Sequence, residues 1–167
     1  MKSLGLYIHW PFCLSKCPYC DFNSHVREKV DHKKWQSALL KELEHAAQRQ
    51  TDRQLVSIFF GGGTPSLMDP ETVALLVEKA TSLFACTEDL EVTLEANPST
   101  VEAGRFKGFS EAGINRLSLG VQSLDDQVLS FLGRRHSAGE ALKALDIAST
   151  YFPRFSFDLI YARPHQT

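Results

Sequence analysis

This chain is poor in cysteine, has no long apolar run and carries no excess of either charge, and each scarcity removes a class of protein. Four cysteines in 167 residues are too few and too clustered for a disulfide-stapled secreted domain, so a reducing, cytoplasmic setting is expected. No stretch approaches the ~20 apolar residues of a membrane-spanning helix. Lys2 precedes an apolar stretch, but His9 and Pro11 interrupt it and no small-residue cleavage site follows, which argues against a signal peptide. Lys and Arg total 18 against 20 Asp and Glu, a net charge of −2 with the signs mixed along every segment. That leaves no basic stripe for nucleic acid. Low-complexity tracts are missing too, and only the polar stretch from Asn23 to His32 reads as a linker. What remains, 43% hydrophobic and 23% charged, is the composition of one globular domain or part of one.

Three of the four cysteines fall in the run His9-Trp10-Pro11-Phe12-Cys13-Leu14-Ser15-Lys16-Cys17-Pro18-Tyr19-Cys20, spaced C-x-x-x-C-x-x-C. An iron–sulfur cube has four irons, so Cys13, Cys17 and Cys20 would leave one iron without a protein ligand and free to hold a small molecule. Two rivals stand beside this reading. Zinc would need a fourth ligand, for which the local choices are His9 and His25. Cys17-Pro18-Tyr19-Cys20 also matches a glutaredoxin-type redox pair, although that leaves Cys13 unexplained. Cys86, at the end of an apolar helical stripe, reads as small core filler.

Hydrophobic period gives strands at 4–10, 55–60, 90–95, 115–121 and 155–161, alternating with helical patterns. Trp35, Leu39, Leu43 and Ala47 recur every four residues. Asp69 as cap and Pro70 as first helical residue precede a stripe from Val73 to Phe84. Ser99-Thr100-Val101-Glu102 reads as a capping box opening a helix that ends near Gly113, and Ser137 to Glu140 opens another after a piece ending at Gly133. Alternation of this kind argues for an α/β protein with a parallel sheet, as a barrel or an open doubly wound form. Both forms place ligands at the C-terminal ends of the strands.

The chemically suggestive residues cluster at those ends. Gly61-Gly62-Gly63-Thr64-Pro65 follows strand two, where bare backbone N–H groups can receive a carboxylate or other anion. A Rossmann-type nucleotide site is disfavoured because G-x-G-x-x-G is missing. Glu95 ends strand three, and Gln122, Arg134 and Asp158 lie at or near the same rim. Tyr7 and His9 share one face of strand one by the two-residue period, with His9 expected to be packed and hydrogen-bonded rather than a ligand. His136 and His165 read as loop residues without a role.

The cysteine run, its lead-in Tyr7-Ile8-His9-Trp10-Pro11-Phe12, the Gly61-to-Pro65 loop and Gly120-Val121-Gln122 together resemble radical SAM proteins related to oxygen-independent coproporphyrinogen III oxidase, over nearly the whole chain. The resemblance implies a partial (βα)6 TIM-like barrel, the radical SAM core over residues 1–167, with about five βα units present. Under it, Cys13, Cys17 and Cys20 hold a [4Fe–4S] cluster whose open iron chelates S-adenosylmethionine. An electron from the cluster cleaves the sulfonium to a 5′-deoxyadenosyl radical, and the protein orients the cofactors and excludes solvent. Tyr7, Tyr19, Gly62, Gly63, Thr64, Glu95, Gln122, Arg134 and Asp158 correspond to the family's S-adenosylmethionine contacts.

Within the family the resemblance favours the haem-chaperone branch over the oxidase. The oxidase pattern has another cysteine just after the cluster motif, where Cys20 is here followed by Asp21-Phe22-Asn23-Ser24, and it has an extension before the first strand, at which this chain almost begins. Haem or porphyrin as cargo, haem-receiving client proteins and an electron donor for the cluster are the implied partners, with neither nucleic acid nor a membrane span. Ala162-Arg163-Pro164 stands where relatives usually read Gly-Leu-Pro, a departure confined to that loop. The sequence stops just past its fifth strand, so a longer protein with a sixth strand and a C-terminal region is expected, and no residue here is assigned to haem.

Overall fold

Every second residue of the first strand faces the same way, and that alternation sets the architecture. In the computed structural model, which describes residues 2–164 and Gln166, strand β1 (Lys2–Trp10) buries Ile8 and Trp10 while Tyr7 and His9 lie on the opposite face. After the two-residue strands β2 (Phe12–Cys13) and β3 (His25–Val26) come helix α1 (His32–Ala47), β4 (Arg53–Gly62), α2 (Pro70–Leu83) and β5 (Ala85–Ala96). Next follow α3 (Thr100–Ala103), α4 (Phe106–Glu111), β6 (Arg116–Gln122), α5 (Asp126–Phe131), α6 (Ala138–Tyr151) and β7 (Arg154–Leu159). Strands β1, β4, β5, β6 and β7 form one sheet in that spatial order, every pairing parallel.

One face of the sheet is apolar. Ile8, Ile58, Phe60, Leu94, Leu117 and Leu119 are buried against the helices in a single core. Removing one such side chain, Phe60→Ala for example, is worth roughly 3–5 kcal/mol. The opposite face is polar. Arg116 reaches the Thr93 hydroxyl at 3.4 Å and the Ser156 hydroxyl at 2.9 Å across neighbouring strands, and Glu91 pairs with Arg154 at 3.2 Å. The aromatic lead-in to the cysteines is structural cement. Trp10, Phe12 and Trp35 meet edge to face, with ring centroids 5.0–6.0 Å apart, and tie α1 to the end of β1.

Several expectations are corrected. The stretch from Asn23 to His32 is no linker: β3 pairs with β2, and Ser24 is buried. The helix expected from Ser99 to Gly113 is broken into α3 and α4 at Gly104 and Arg105, although both keep right-handed helical backbone angles; the Arg105 side chain donates to the carbonyls of Ser66 and Met68. Asp69 is the cap residue of α2 and Pro70 its first residue, as expected, but the Asp69 side chain makes no capping hydrogen bond; it faces Arg105 at 3.7 Å and His32 at 3.4 Å. Cys86 belongs to β5, opposite Leu55, since α2 ends at Leu83 and Phe84 is already extended. Four strand–helix units and a fifth strand are present, and β7 is exposed along most of its length.

Candidate functional site

Parallel strands bring the suggestive loops to one end of the sheet, where they enclose a cleft of about 550 Å³. Cys13, Cys17 and Cys20 line it with Tyr19, Gly63, Thr64, Glu95, Gln122, Arg134 and Asp158. Tyr7 and Gly62 lie just outside the lining.

The cysteine loop is tied down at its base. The N–H of His25 donates to the Pro11 carbonyl at 2.7 Å and that of Arg27 to the Cys13 carbonyl at 3.3 Å, while Lys16 Nζ donates to the Phe22 carbonyl at 3.1 Å. His9 behaves as expected: its Nε2 meets the Asn23 carbonyl at 3.0 Å and its Nδ1 the Tyr7 hydroxyl at 3.2 Å. All four thiols are free, and two carry donors. Thr64 Oγ1 donates to Cys13 Sγ and Arg134 Nη1 to Cys17 Sγ, each at 3.4 Å.

The glycine loop does not offer its N–H groups to a ligand in the expected way. Those of Gly63 and Thr64 are spent on the carbonyls of Trp10 and Phe12, at 2.7 and 2.8 Å, and that of Gly62 goes to Glu95 Oε2 at 3.3 Å. The loop is instead a zipper onto the cysteine strand. Only glycine fits at position 63, because a Cβ there would stand 2.7 Å from the Phe12 carbonyl oxygen and 3.0 Å from Cys13 Sγ.

Burial and nearby charge further favour the neutral phenols of Tyr19, in the cleft, and of Tyr7, just outside it. Burial pushes Tyr19 up to about 12, with the Arg134 guanidinium opposing and Cys17 adding to the rise. Tyr7 is raised by burial and by the charge of Glu95. Glu95 itself titrates above the usual carboxylate range because it is buried; the Gly62 N–H pulls it down and Asp158 pushes it up. Gln122 holds a left-handed backbone, φ 69°, at the end of β6, the kind of local strain that a functional rim tolerates.

Arg134 is the hub. Beyond Cys17 it reaches Tyr19 Oη at 3.5 Å, Asn97 Oδ1 at 2.6 Å and the Gly120 carbonyl at 2.7 Å, while its Nε is buried without a partner. The segment Glu95-Ala96-Asn97-Pro98 is among those the sequence places at the strand ends, but sequence reasoning gave Asn97 no role and read Glu102 only as part of a cap, where its buried carboxylate accepts from Ser66, Ser99 and Asn97. It also missed His136. That ring is buried, with Nε2 3.0 Å from the Val121 carbonyl, so it is a packed residue rather than a free loop side chain. His165 lies outside the described residues. Among the described residues, no three His, Cys, Asp or Glu side chains converge where a single metal ion would sit.

A five-stranded parallel sheet with three thiols and a charged rim at its C-terminal edge defines a ligand-binding domain of barrel type, and comparison with known proteins specifies it. Residues 7–167 match the model of the Radical SAM superfamily, and the chain belongs to that family. It is 46% identical to the heme chaperone HemW of Haemophilus influenzae, all of this chain matching 45% of that protein. Radical S-adenosyl methionine domain-containing protein 1, mitochondrial, of Bos taurus is 45% identical, over 99% of this chain and 38% of its own length. Among solved structures, coproporphyrinogen III oxidase (HemN) of Escherichia coli superposes with a TM-score of 0.87 at 29% identity, over 99% of this chain and 39% of that one. The expectation of a partial TIM-like barrel holds. The chain spans less than half the length of the curated relatives it matches. No helix among the described residues is long and apolar enough to cross a membrane.

Proposed function

We propose that this chain is the core of a HemW-like haem chaperone that binds a [4Fe–4S] cluster and S-adenosylmethionine and passes haem to client proteins. The observation that carries the reading is the one cleft onto which ten residues from six separate segments open. The donor set suits the cluster. Cys13, Cys17 and Cys20 are free thiols along one wall, and Thr64 and Arg134 donate hydrogen bonds to two of the sulfurs, as the outer partners of metal-ligating groups do. The zinc alternative needs a fourth ligand, and His9, one of its two local candidates, has both ring nitrogens engaged by Tyr7 and Asn23.

When bound, the cluster would supply the electron that cleaves the sulfonium of S-adenosylmethionine. The chain's own residues do the rest. Glu95, Gln122, Arg134 and Asp158 orient polar groups of the ligand, and Tyr19 presents a neutral hydroxyl. Tyr7 and Gly62 act from behind, through Glu95. At the mouth, Leu14, Phe22 and Val101 are exposed apolar side chains, suited to a large flat ligand such as haem. The electron donor, the clients and the cytoplasmic or mitochondrial location belong to the full-length protein; relatives from cattle and mouse are named as mitochondrial.

A second reading, oxidative decarboxylation of coproporphyrinogen III, is favoured by the superposition on the oxidase. The higher identity to chaperones and Asp21 in place of a further cysteine weigh against it.

Full-length protein, reconstituted anaerobically with iron and sulfide and then reduced, should give a cube-type electron paramagnetic resonance signal that shifts with S-adenosylmethionine. It should also bind haem in an absorbance titration and leave coproporphyrinogen III unchanged. A folded sample without a cluster overturns the cofactor reading, and turnover of the porphyrinogen overturns the chaperone.

A further inference from the structure

Asn97 stands between a group that can only donate and a group that can only accept. Arg134 Nη2 donates to its Oδ1 at 2.6 Å, and its Nδ2 donates to Glu102 Oε1 at 3.3 Å. A guanidinium has no acceptor and a carboxylate no donor, so a single orientation of the amide satisfies both. The backbone N–H of Asn97 fixes the other carboxylate oxygen, Oε2, at 2.8 Å, and the Ser66 hydroxyl donates to the same oxygen.

Glu102 is only 4% exposed, and a carboxylate is buried at this depth only where donors surround it. Helix capping does not account for the burial. In a capping box the glutamate returns to the N–H of its own cap residue, as Glu140 does to Ser137 at 2.9 Å. Glu102 spends both oxygens elsewhere: Oε2 on the backbone of Asn97 and on Ser66 from the glycine loop, and Oε1 on the Asn97 side chain, with the Ser99 hydroxyl at 3.5 Å. From Asn97 the connection runs through Arg134 to Cys17 Sγ at 3.4 Å.

We infer that Glu102 is a positioning residue: by fixing the Asn97 amide it holds Arg134 against the Cys17 sulfur, and through that contact it sets the electronic environment of whatever the thiols bind. The second half of this statement rests on the cluster reading above; the first half does not. A donor on a ligating sulfur withdraws negative charge and raises the reduction potential of a cluster. Loosening Arg134 therefore lowers it.

Two full-length variants test the link. Glu102→Gln places a donor where the carboxylate had none, so one of the two N–H donors of Asn97 loses its acceptor whichever way the new amide turns. Asn97→Asp combined with Glu102→Gln restores the pattern with the same net charge. The glutamine oxygen then accepts from the residue 97 backbone and Ser66, its NH2 donates to Asp at 97, and that aspartate accepts from Arg134.

In metal-free protein, hydrogen–deuterium exchange of the segment from Gly120 to Arg135 should quicken in Glu102→Gln and return to the wild-type rate in the double variant. After reconstitution, the cluster's midpoint potential should move to more negative values in the single variant and return in the double. Unchanged exchange in Glu102→Gln, or quickened exchange that the double variant does not restore, overturns the positioning role; altered exchange with an unmoved potential overturns its second half, the effect on what the thiols bind. If the wild type assembles no cluster, the reading of the preceding subsection fails, while the exchange comparison still decides whether Glu102 holds Arg134.

Discussion

Gly133 and Pro18 touch so closely that a Cβ on Gly133 would stand 2.6 Å from the proline Cδ. The contact joins the turn after α5 to the middle of the cysteine loop, one residue from Arg134 on one side and one from Cys17 on the other. Gly133 also holds a φ of 67°, in the left-handed region. Gly133→Ala should therefore cost roughly 1–3 kcal/mol through backbone strain alone, and more through displacement of Pro18. Thermal denaturation together with the iron-to-protein ratio after reconstitution checks this: both should fall, and wild-type values in both would show that the contact is dispensable.

Gly139 offers the contrasting case. It lies in the first turn of α6 with open space where a Cβ would be, the nearest atom being Ser137 Oγ at 3.9 Å. Gly139→Ala should stabilise by about 0.5–1 kcal/mol, read as a raised denaturation midpoint with the cleft unaffected.

Cys13→Ser separates cluster chemistry from dithiol chemistry. A cluster held by three thiolates loses a ligand, so iron and sulfide binding should collapse and the paramagnetic signal vanish. A redox pair made of Cys17 and Cys20 would survive the change, and retained dithiol activity with no dependence on iron would reverse the assignment.

His136 should make the loop after α5 sensitive to acid. Burial and the neighbouring Arg134 charge lower its pKa, against a smaller opposing pull from the Val121 carbonyl. The neutral ring's contribution is complete above the unfolded value of about 6.5 and is lost as pH falls from there through the lower native pKa. Melting temperatures compared at about pH 7.5 and about pH 5.5 should drop more for wild type than for His136→Gln, whose amide can still donate to Val121. Equal drops would remove the histidine as the cause.

The cap of α6 titrates in a different window. The N–H of Ser137 and the Thr100 hydroxyl hold the Glu140 carboxyl down at about 2. Its contribution is present above the unfolded pKa of about 4.3 and is lost as pH falls from there to about 2. Ser137→Ala should cost about 1 kcal/mol at neutral pH yet keep most of the acid limb, because the residue 137 N–H remains, whereas Glu140→Gln should flatten that limb, both read by denaturant titration.

The sheet was legible because parallel strands with helical crossovers leave a strong periodic trace, and their common direction then puts Gly63, Glu95, Gln122 and Asp158 at one edge without further information. The cysteine spacing was legible because ligand chemistry fixes it locally. Less could be read where tertiary contacts overrule local pattern. The break between α3 and α4 falls at Gly104 and Arg105, where the Arg105 side chain reaches Ser66 and Met68, and no window around position 105 records those partners. Strands β2 and β3 hold two residues each, too few for any period. Glu102 sits three residues after a serine and reads as a cap; only the fold shows that its carboxylate serves Asn97 and Ser66. His136 looked idle because the carbonyl it meets is Val121's, beside the left-handed Gln122.

The donor that reaches Cys17 comes 117 residues later in the chain. During synthesis the three thiols therefore leave the ribosome long before Arg134 exists to meet them. Helix α1, β4, α2, β5, α3, α4, β6 and α5 are all made between the thiols and the guanidinium. The contact between Arg134 and Cys17 can therefore form only after the loop following α5 has been made, while α6 and β7 are still to come.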